Sequence, residues 1–181
     1  MATKKPLKDV FQAALDKWEW PDKISHDESD DTDYISTDYS IDKQKYRFVM
    51  YTDESTKDII INLYSPIIIP KDRQEAGAIL MNFFNSGMRA GGSISMSPDG
   101  EVVYKKSTNV SGTTASIEQF EVLRYLAGGI FDSEAKRTSA IGAVAFTKQV
   151  IDSIITDFLS SIEGDDESSD DVPNGDVPEK L

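Results

Sequence analysis

The stretch Ser65-Pro66-Ile67-Ile68-Ile69-Pro70-Lys71-Asp72-Arg73-Gln74-Glu75-Ala76-Gly77-Ala78-Ile79-Leu80-Met81-Asn82-Phe83-Phe84-Asn85-Ser86-Gly87, with its continuation to Tyr104, decides the fold. Ile67, Ile68 and Ile69 read as the apolar end of a strand. Pro70 then suits the first turn of a helix, where a missing amide costs nothing. Ala76, Ile79, Leu80, Phe83 and Phe84 recur at steps of three and four, so they predict one apolar helix face. Gly87 predicts the stop, through the left-handed conformation open to glycine at helix ends. Ser97-Pro98-Asp99-Gly100 supplies turn residues between Ile94/Met96 and Val102/Tyr104, which predicts a hairpin. A helix flanked by strands on both sides implies a mixed α+β core.

Upstream, Leu7, Val10, Phe11, Ala14, Leu15 and Trp18 mark an amphipathic helix. It should end near Trp20-Pro21, since proline disfavours helical geometry in the residue before it. Asp22 to Asp33 is polar and acidic and reads as a loop. Three alternating runs follow: Tyr34–Ile41, Tyr46–Tyr51 and Lys57–Tyr64. The short polar links Asp42-Lys43-Gln44-Lys45 and Asp53-Glu54-Ser55-Thr56 predict an antiparallel meander, with the more apolar side of each strand facing the core. Downstream of the hairpin, Val110 to Ala115 reads as a loop and Ser116-Ile117-Glu118-Gln119 as a capping box. The helix after it should bury Ile117, Phe120, Leu123, Leu126 and Ala127 and break at Gly128-Gly129. One long helix is expected from Ile141 through Ile162. The fold class is therefore α+β: a three-strand meander plus a hairpin, packed with helices in the order α-β-β-β-α-β-β-α-α.

The 181 residues suit one domain, 1–162, with a tail, 163–181. That tail holds eight acids against one lysine, over half of the chain's net charge of −13. It is too polar to offset its ordering entropy and reads as disordered. The remaining acidic balance repels phosphate backbones, and no basic patch overrides it, so nucleic acid is not an expected partner. A mean hydropathy of −0.39 and the lack of a run of about 20 apolar residues argue against a membrane span. Met1 to Lys8 carries lysines with no apolar stretch after them, so no secretory signal is read. The absence of cysteine removes thiolate chemistry and Cys-ligated metal, and agrees with a cytoplasmic location.

Candidate chemistry is sparse. His26 is the sole histidine, placed in the acidic loop with no nucleophile signature near it. The cluster from Asp27 to Asp33 does not fit the frame of a calcium loop. Asp27 as first ligand puts Thr32 where an EF-hand needs glycine and Asp38 where it needs glutamate. Gly91-Gly92 and Gly128-Gly129 lack the Lys-Ser/Thr of a phosphate loop. Ser168 and Ser169 lie among acids and are read as part of the disordered tail. No catalytic, cofactor-binding or metal-ligating residue is assigned.

Ile69-Pro70-Lys71-Asp72-Arg73-Gln74-Glu75 leading into Leu80-Met81-Asn82 resembles the central segment of the YbjN family of bacterial sensory transduction regulators. Ser97-Pro98-Asp99-Gly100-Glu101-Val102-Val103-Tyr104-Lys105 and the Ser116-to-Leu126 helix resemble it too, so motif-level likeness covers about 67–126. The resemblance implies a fold like that of type III secretion chaperones, small acidic proteins that often dimerise and bind partner segments. It implies a non-enzymatic regulator or chaperone-like adaptor. The alternation independently places Arg47, Val49, Tyr51, Ile60, Asn62 and Tyr64 on one sheet face away from the helices, a candidate surface for a protein partner or a second copy. Two alternatives stay open: an ion-responsive protein using the 27–33 loop, and a secretion chaperone for an unidentified effector.

Overall fold

The computed structural model describes residues 5–88, 91–132, 136–146 and 151–163. Its elements are α1 (Leu7–Lys17), β1 (Ser25–Asp27), β2 (Thr32–Ile41), β3 (Gln44–Asp53), β4 (Asp58–Ile68), α2 (Gln74–Ser86), β5 (Ser93–Met96), β6 (Glu101–Asn109), α3 (Ile117–Ile130), α4 (Arg137–Phe146) and α5 (Ile151–Glu163). The strands form one six-stranded antiparallel sheet in the order β1-β2-β3-β4-β6-β5. The α+β class and the expected hairpin both hold, with Ile94 opposite Tyr104 and Met96 opposite Val102.

One sheet face carries the core. Ile35, Tyr46, Phe48, Met50, Ile59, Ile61, Leu63, Val102 and Tyr104 are buried on it. Helices α1 to α4 pack on this side, and α5 covers α2 and α4. Phe11 of α1 stacks on Phe120 of α3, with centroids 5.2 Å apart. Trp20 closes edge-on against Phe48, and Tyr46 stacks on Phe131 while its hydroxyl pairs with Thr138 Oγ1 at 2.8 Å. Each such side chain contributes about 1.5–3 kcal/mol by leaving water.

The turns explain the register. Asp42-Lys43 joins β2 to β3 with φ of 48° and 68°, the primed turn whose twist suits a two-residue hairpin. Three other turns, all at the opposite end of the sheet, share one device. Asp27 Oδ1 accepts from the amide and hydroxyl of Ser29, Asp53 Oδ1 from those of Ser55, and Asn109 Oδ1 from those of Ser111. The β5–β6 turn docks on the strand end that precedes α2: Ile69 N–H donates to Gly100 O at 2.9 Å. Asn85 of α2 then hydrogen-bonds both backbone groups of Ile94 on β5, at 2.8 Å each.

Several expectations need correction. Asp22 to Asp33 is not all loop: Ser25–Asp27 is a short strand, and His26 lies on it. A 3-10 turn, Lys71–Arg73, follows Pro70, so α2 starts only at Gln74. The buried residues of α2 are Gly77, Leu80, Met81 and Phe84, while Ile79 is 47% exposed. Gly87 ends that helix at φ −98°, without the left-handed turn. Gly128-Gly129 does not break α3, which runs to Ile130. A Cβ on Gly128 would sit 3.1 Å from the Tyr39 hydroxyl, so that glycine lets helix and sheet close up. The expected long last helix is two. Ala140 and Ala143 line the same cleft of about 330 Å³ as Ile154 and Phe158, which a straight helix rising about 1.5 Å per residue cannot achieve. Apart from Glu163, which ends α5, the acidic tail lies outside the described residues.

Two outcomes are expected. Gly100 has φ +84°, and a Cβ there would fall 2.0 Å from Ile69 O. Gly100→Ala should lower urea stability by about 2–4 kcal/mol, read from the unfolding midpoint. Hydrogen bonds from Ser55 and Thr56 hold the Asp53 carboxyl down at about 2, from 3.8. Its stabilising contribution is thus present above pH 3.8 and lost as pH falls through about 2. An acid titration of unfolding should lose this part of its slope in Asp53→Asn.

Candidate functional site

The sheet face opposite the helices is built by alternation and register together. Because side chains alternate sides along a strand, burying Phe48 and Met50 of β3 turns Arg47, Val49 and Tyr51 outward. The same holds for Ile60, Asn62 and Tyr64 of β4, whose neighbours Ile59, Ile61 and Leu63 are fully buried. Pairing then sets these six residues directly opposite one another: Arg47 with Tyr64, Val49 with Asn62, and Tyr51 with Ile60.

The neighbouring strands extend these pairs into rows. One runs Asp38, Arg47, Tyr64, Val103, Ser95. The next runs Ser36, Val49, Asn62, Lys105, Ser93, and the third Ser25, Tyr34, Tyr51, Ile60, Ser107. Val49, Tyr51, Ile60, Asn62, Tyr64, Val103 and Tyr34 are half-buried, while Ser36, Asp38, Lys105, Ser107, Ser93 and Ser95 around them are exposed. An apolar centre with a polar rim results. Tyr34 and Val103 belong to it as fully as the six expected residues. The period-2 pattern already turned Tyr34 to this side, but Val103 needed the pairing of β6 with β4 across α2, which no local pattern announces.

Arg47 ties the centre together. Its guanidinium carbon lies 3.8 Å from the Tyr64 ring centroid, and its Nη2 donates to Glu101 Oε1 at 3.1 Å. One side chain thus bridges β3, β4 and β6, through cation–π attraction and an exposed ion pair. Lys45 and Asp38 pair at 3.3 Å beside it. At the middle of the face, Asn62 Oδ1 is enclosed with no hydrogen-bond partner among the described residues.

The 27–33 carboxylates do not converge. Asp27 holds Ser29, which keeps its carboxyl below the usual range. Asp33 is 2.7 Å from Lys8 Nζ and 3.1 Å from His26 Nδ1, and Asp31 lies 3.8 Å from His26 Nε2. Among the described residues no three His, Cys, Asp or Glu side chains gather as a metal site. Tyr104 is in the core, its hydroxyl donating to Gly91 O at 3.0 Å, and burial pushes its pKa up to about 12. No helix among the described residues is long and apolar enough to cross a membrane.

No protein-family model matches the chain, so the likeness to YbjN regulators gains no support there, and no curated protein matches it. Among solved structures, it is similar to the Yersinia pestis type III secretion chaperone SycH in complex with a stable fragment of YscM2. That match has 14% identity and a TM-score of 0.41, and covers 67% of this chain and 94% of the other. It is also similar to the HopA1-SchA chaperone-effector complex, at 14% identity and a TM-score of 0.40, over 67% of this chain and 91% of that one. Likeness at this level transfers neither function nor partner, and what the face does rests on its own residues.

Proposed function

We propose that this chain is a non-enzymatic protein-binding regulator or chaperone-like adaptor that holds its partner on the open sheet face. The observation that carries this reading is a row-by-row apolar centre, flanked by Arg47 and Tyr64, that none of the described helices covers. Tyrosine and arginine are the residues that concentrate binding energy at interfaces: tyrosine buries large area with few torsions to freeze, and arginine offers a planar fork of donors. The ionisable groups support the non-enzymatic half of the reading. Asp27 and Asp53 serve in turns, Tyr104 is buried in the core with its hydroxyl on Gly91 O, and His26 sits on an edge strand between two aspartates. The finer identity, a cytoplasmic regulator of the YbjN kind, draws on the motifs at 67–126 and on the lack of cysteine. A secretion chaperone would use the same face on an effector segment.

Tyr51→Glu together with Tyr64→Glu tests the face. Circular dichroism should stay unchanged, while association weakens at least about 30-fold for each tyrosine of hot-spot strength. Size-exclusion with light scattering, run on the full chain alone and with its captured partner, reads the loss. Association unchanged in the double variant overturns the reading.

A further inference from the structure

We infer that the cleft between α4 and α5 is filled by this chain's own acidic tail, through its two Asp-Val-Pro units. This goes beyond the docking role of the sheet face and does not depend on it. The cleft, of about 330 Å³, lies among the helices on the other side of the sheet. Ala140, Ala143, Ile154 and Phe158 give it an apolar lining, and Lys136, Ser139 and Asp157 are its exposed polar members. Among the described residues neither Lys136 nor Asp157 forms an ion pair, so the two do not neutralise each other. Lys136 directly precedes α4, whose first turn carries no acid. That end of the cleft therefore offers an uncompensated positive charge, strengthened by the amides of the helix start.

The tail matches this surface in kind. Residues 164–181 are mostly acids and small polar residues, yet Asp-Val-Pro occurs twice, at Asp171-Val172-Pro173 and Asp176-Val177-Pro178. A segment serving only for solubility has no use for repeated apolar pairs. Each unit sets one carboxylate before two apolar residues, as the cleft sets Lys136 before Ala140 and Ala143. Proline also restricts the free segment, so less entropy is lost when it docks. A segment held extended leaves its amides unpaired, and Asp157 on the α5 wall is an acceptor for them. Reach fits as well. Helix α5 ends at Glu163, and Asp171 follows eight residues later. A flexible span of that length covers about 16 Å on average, against about 14 Å along the helix from Glu163 back to Ile154. Such a tether gives an effective concentration of order millimolar. A contact with an affinity of only about 1 mM then fills the cleft about half of the time, and the second unit raises that share.

The chain has no cysteine, so introduced thiols report without interference. Ser139→Cys places one on the exposed lining of the cleft, and Asn174→Cys places one between the two units. Under mild oxidation this full-length double variant should close a disulfide within one chain, at a rate independent of protein concentration. Adding Val172→Ser, Pro173→Ser, Val177→Ser and Pro178→Ser leaves the thiols and the tether length unchanged. It should slow closure about fivefold or more. Lys136→Glu should slow it about twofold or more, by a margin that shrinks as salt rises. In the chain without added thiols, the four serine substitutions should move the methyl resonances of Ala140, Ala143 and Ile154. Those of Val49 and Ile60, on the opposite sheet face, should stay in place. Closure as fast with the serine tail as with the natural one overturns the inference. Disulfides that form only between two chains overturn it as well, since the tail then serves a neighbour. So do cleft methyl resonances that the serine substitutions leave unmoved.

Discussion

The register between β3 and β4 is the constraint on which the open face depends. Phe48, Met50, Ile59, Ile61 and Leu63 show no exposed surface, and all point to the helices. A slip of one residue on either strand would turn that strand's whole set outward. At roughly 2 kcal/mol for each side chain, holding all five inside is worth about 10 kcal/mol, comparable to the full stability of a domain. The outward residues inherit this precision. Arg47 meets Tyr64, and Val49 meets Asn62, because the inward neighbours leave them no other position.

The turns guard that register from both ends. Asp42-Lys43 permits only a two-residue connection, and the Asp53 and Asn109 side chains fix the far ends of their strands with local hydrogen bonds. Gly100 closes the remaining link by letting the β5–β6 turn lie against the backbone of Ile69. The strand end, the start of α2 and the hairpin are therefore held as one unit. This is why β6 comes to lie beside β4 and adds Val103 and Lys105 to the face.

Much of this was legible in the sequence, and the misses have physical causes. Alternation alone separated Tyr46, Phe48 and Met50 from Arg47, Val49 and Tyr51, since a two-residue period leaves no ambiguity once one side is apolar. Ser25–Asp27 escaped notice because its polar residues carry no apolar alternation. That strand is held by pairing with β2 and by the contact of His26 with Asp33. The face of α2 was misplaced by about one residue, toward Ile79 and away from Met81, because apolar residues nearly encircle that helix. Gly128 looked like a stop for want of the tertiary fact that Tyr39 packs against it. The apolar period from Ile141 to Ile162 persists through two helices, because both bury one stripe, so periodicity could not reveal that they are separate. The enclosure of Asn62 Oδ1 with no partner among the described residues was beyond any pattern, since it is visible only when the surroundings are known.

The two margins of the sheet are treated differently. On β5 the outer backbone groups of Ile94 are taken by Asn85, whose amide imitates a further strand and leaves nothing there for another chain to pair with. On the far margin β1 shields β2 only as far as Tyr34. Runaway fibre growth needs a sticky border on each side of every subunit, and at Ile94 the helix blunts one of them. Sideways association of this sheet is thus hindered where β5 forms its margin, a safeguard written into a single asparagine.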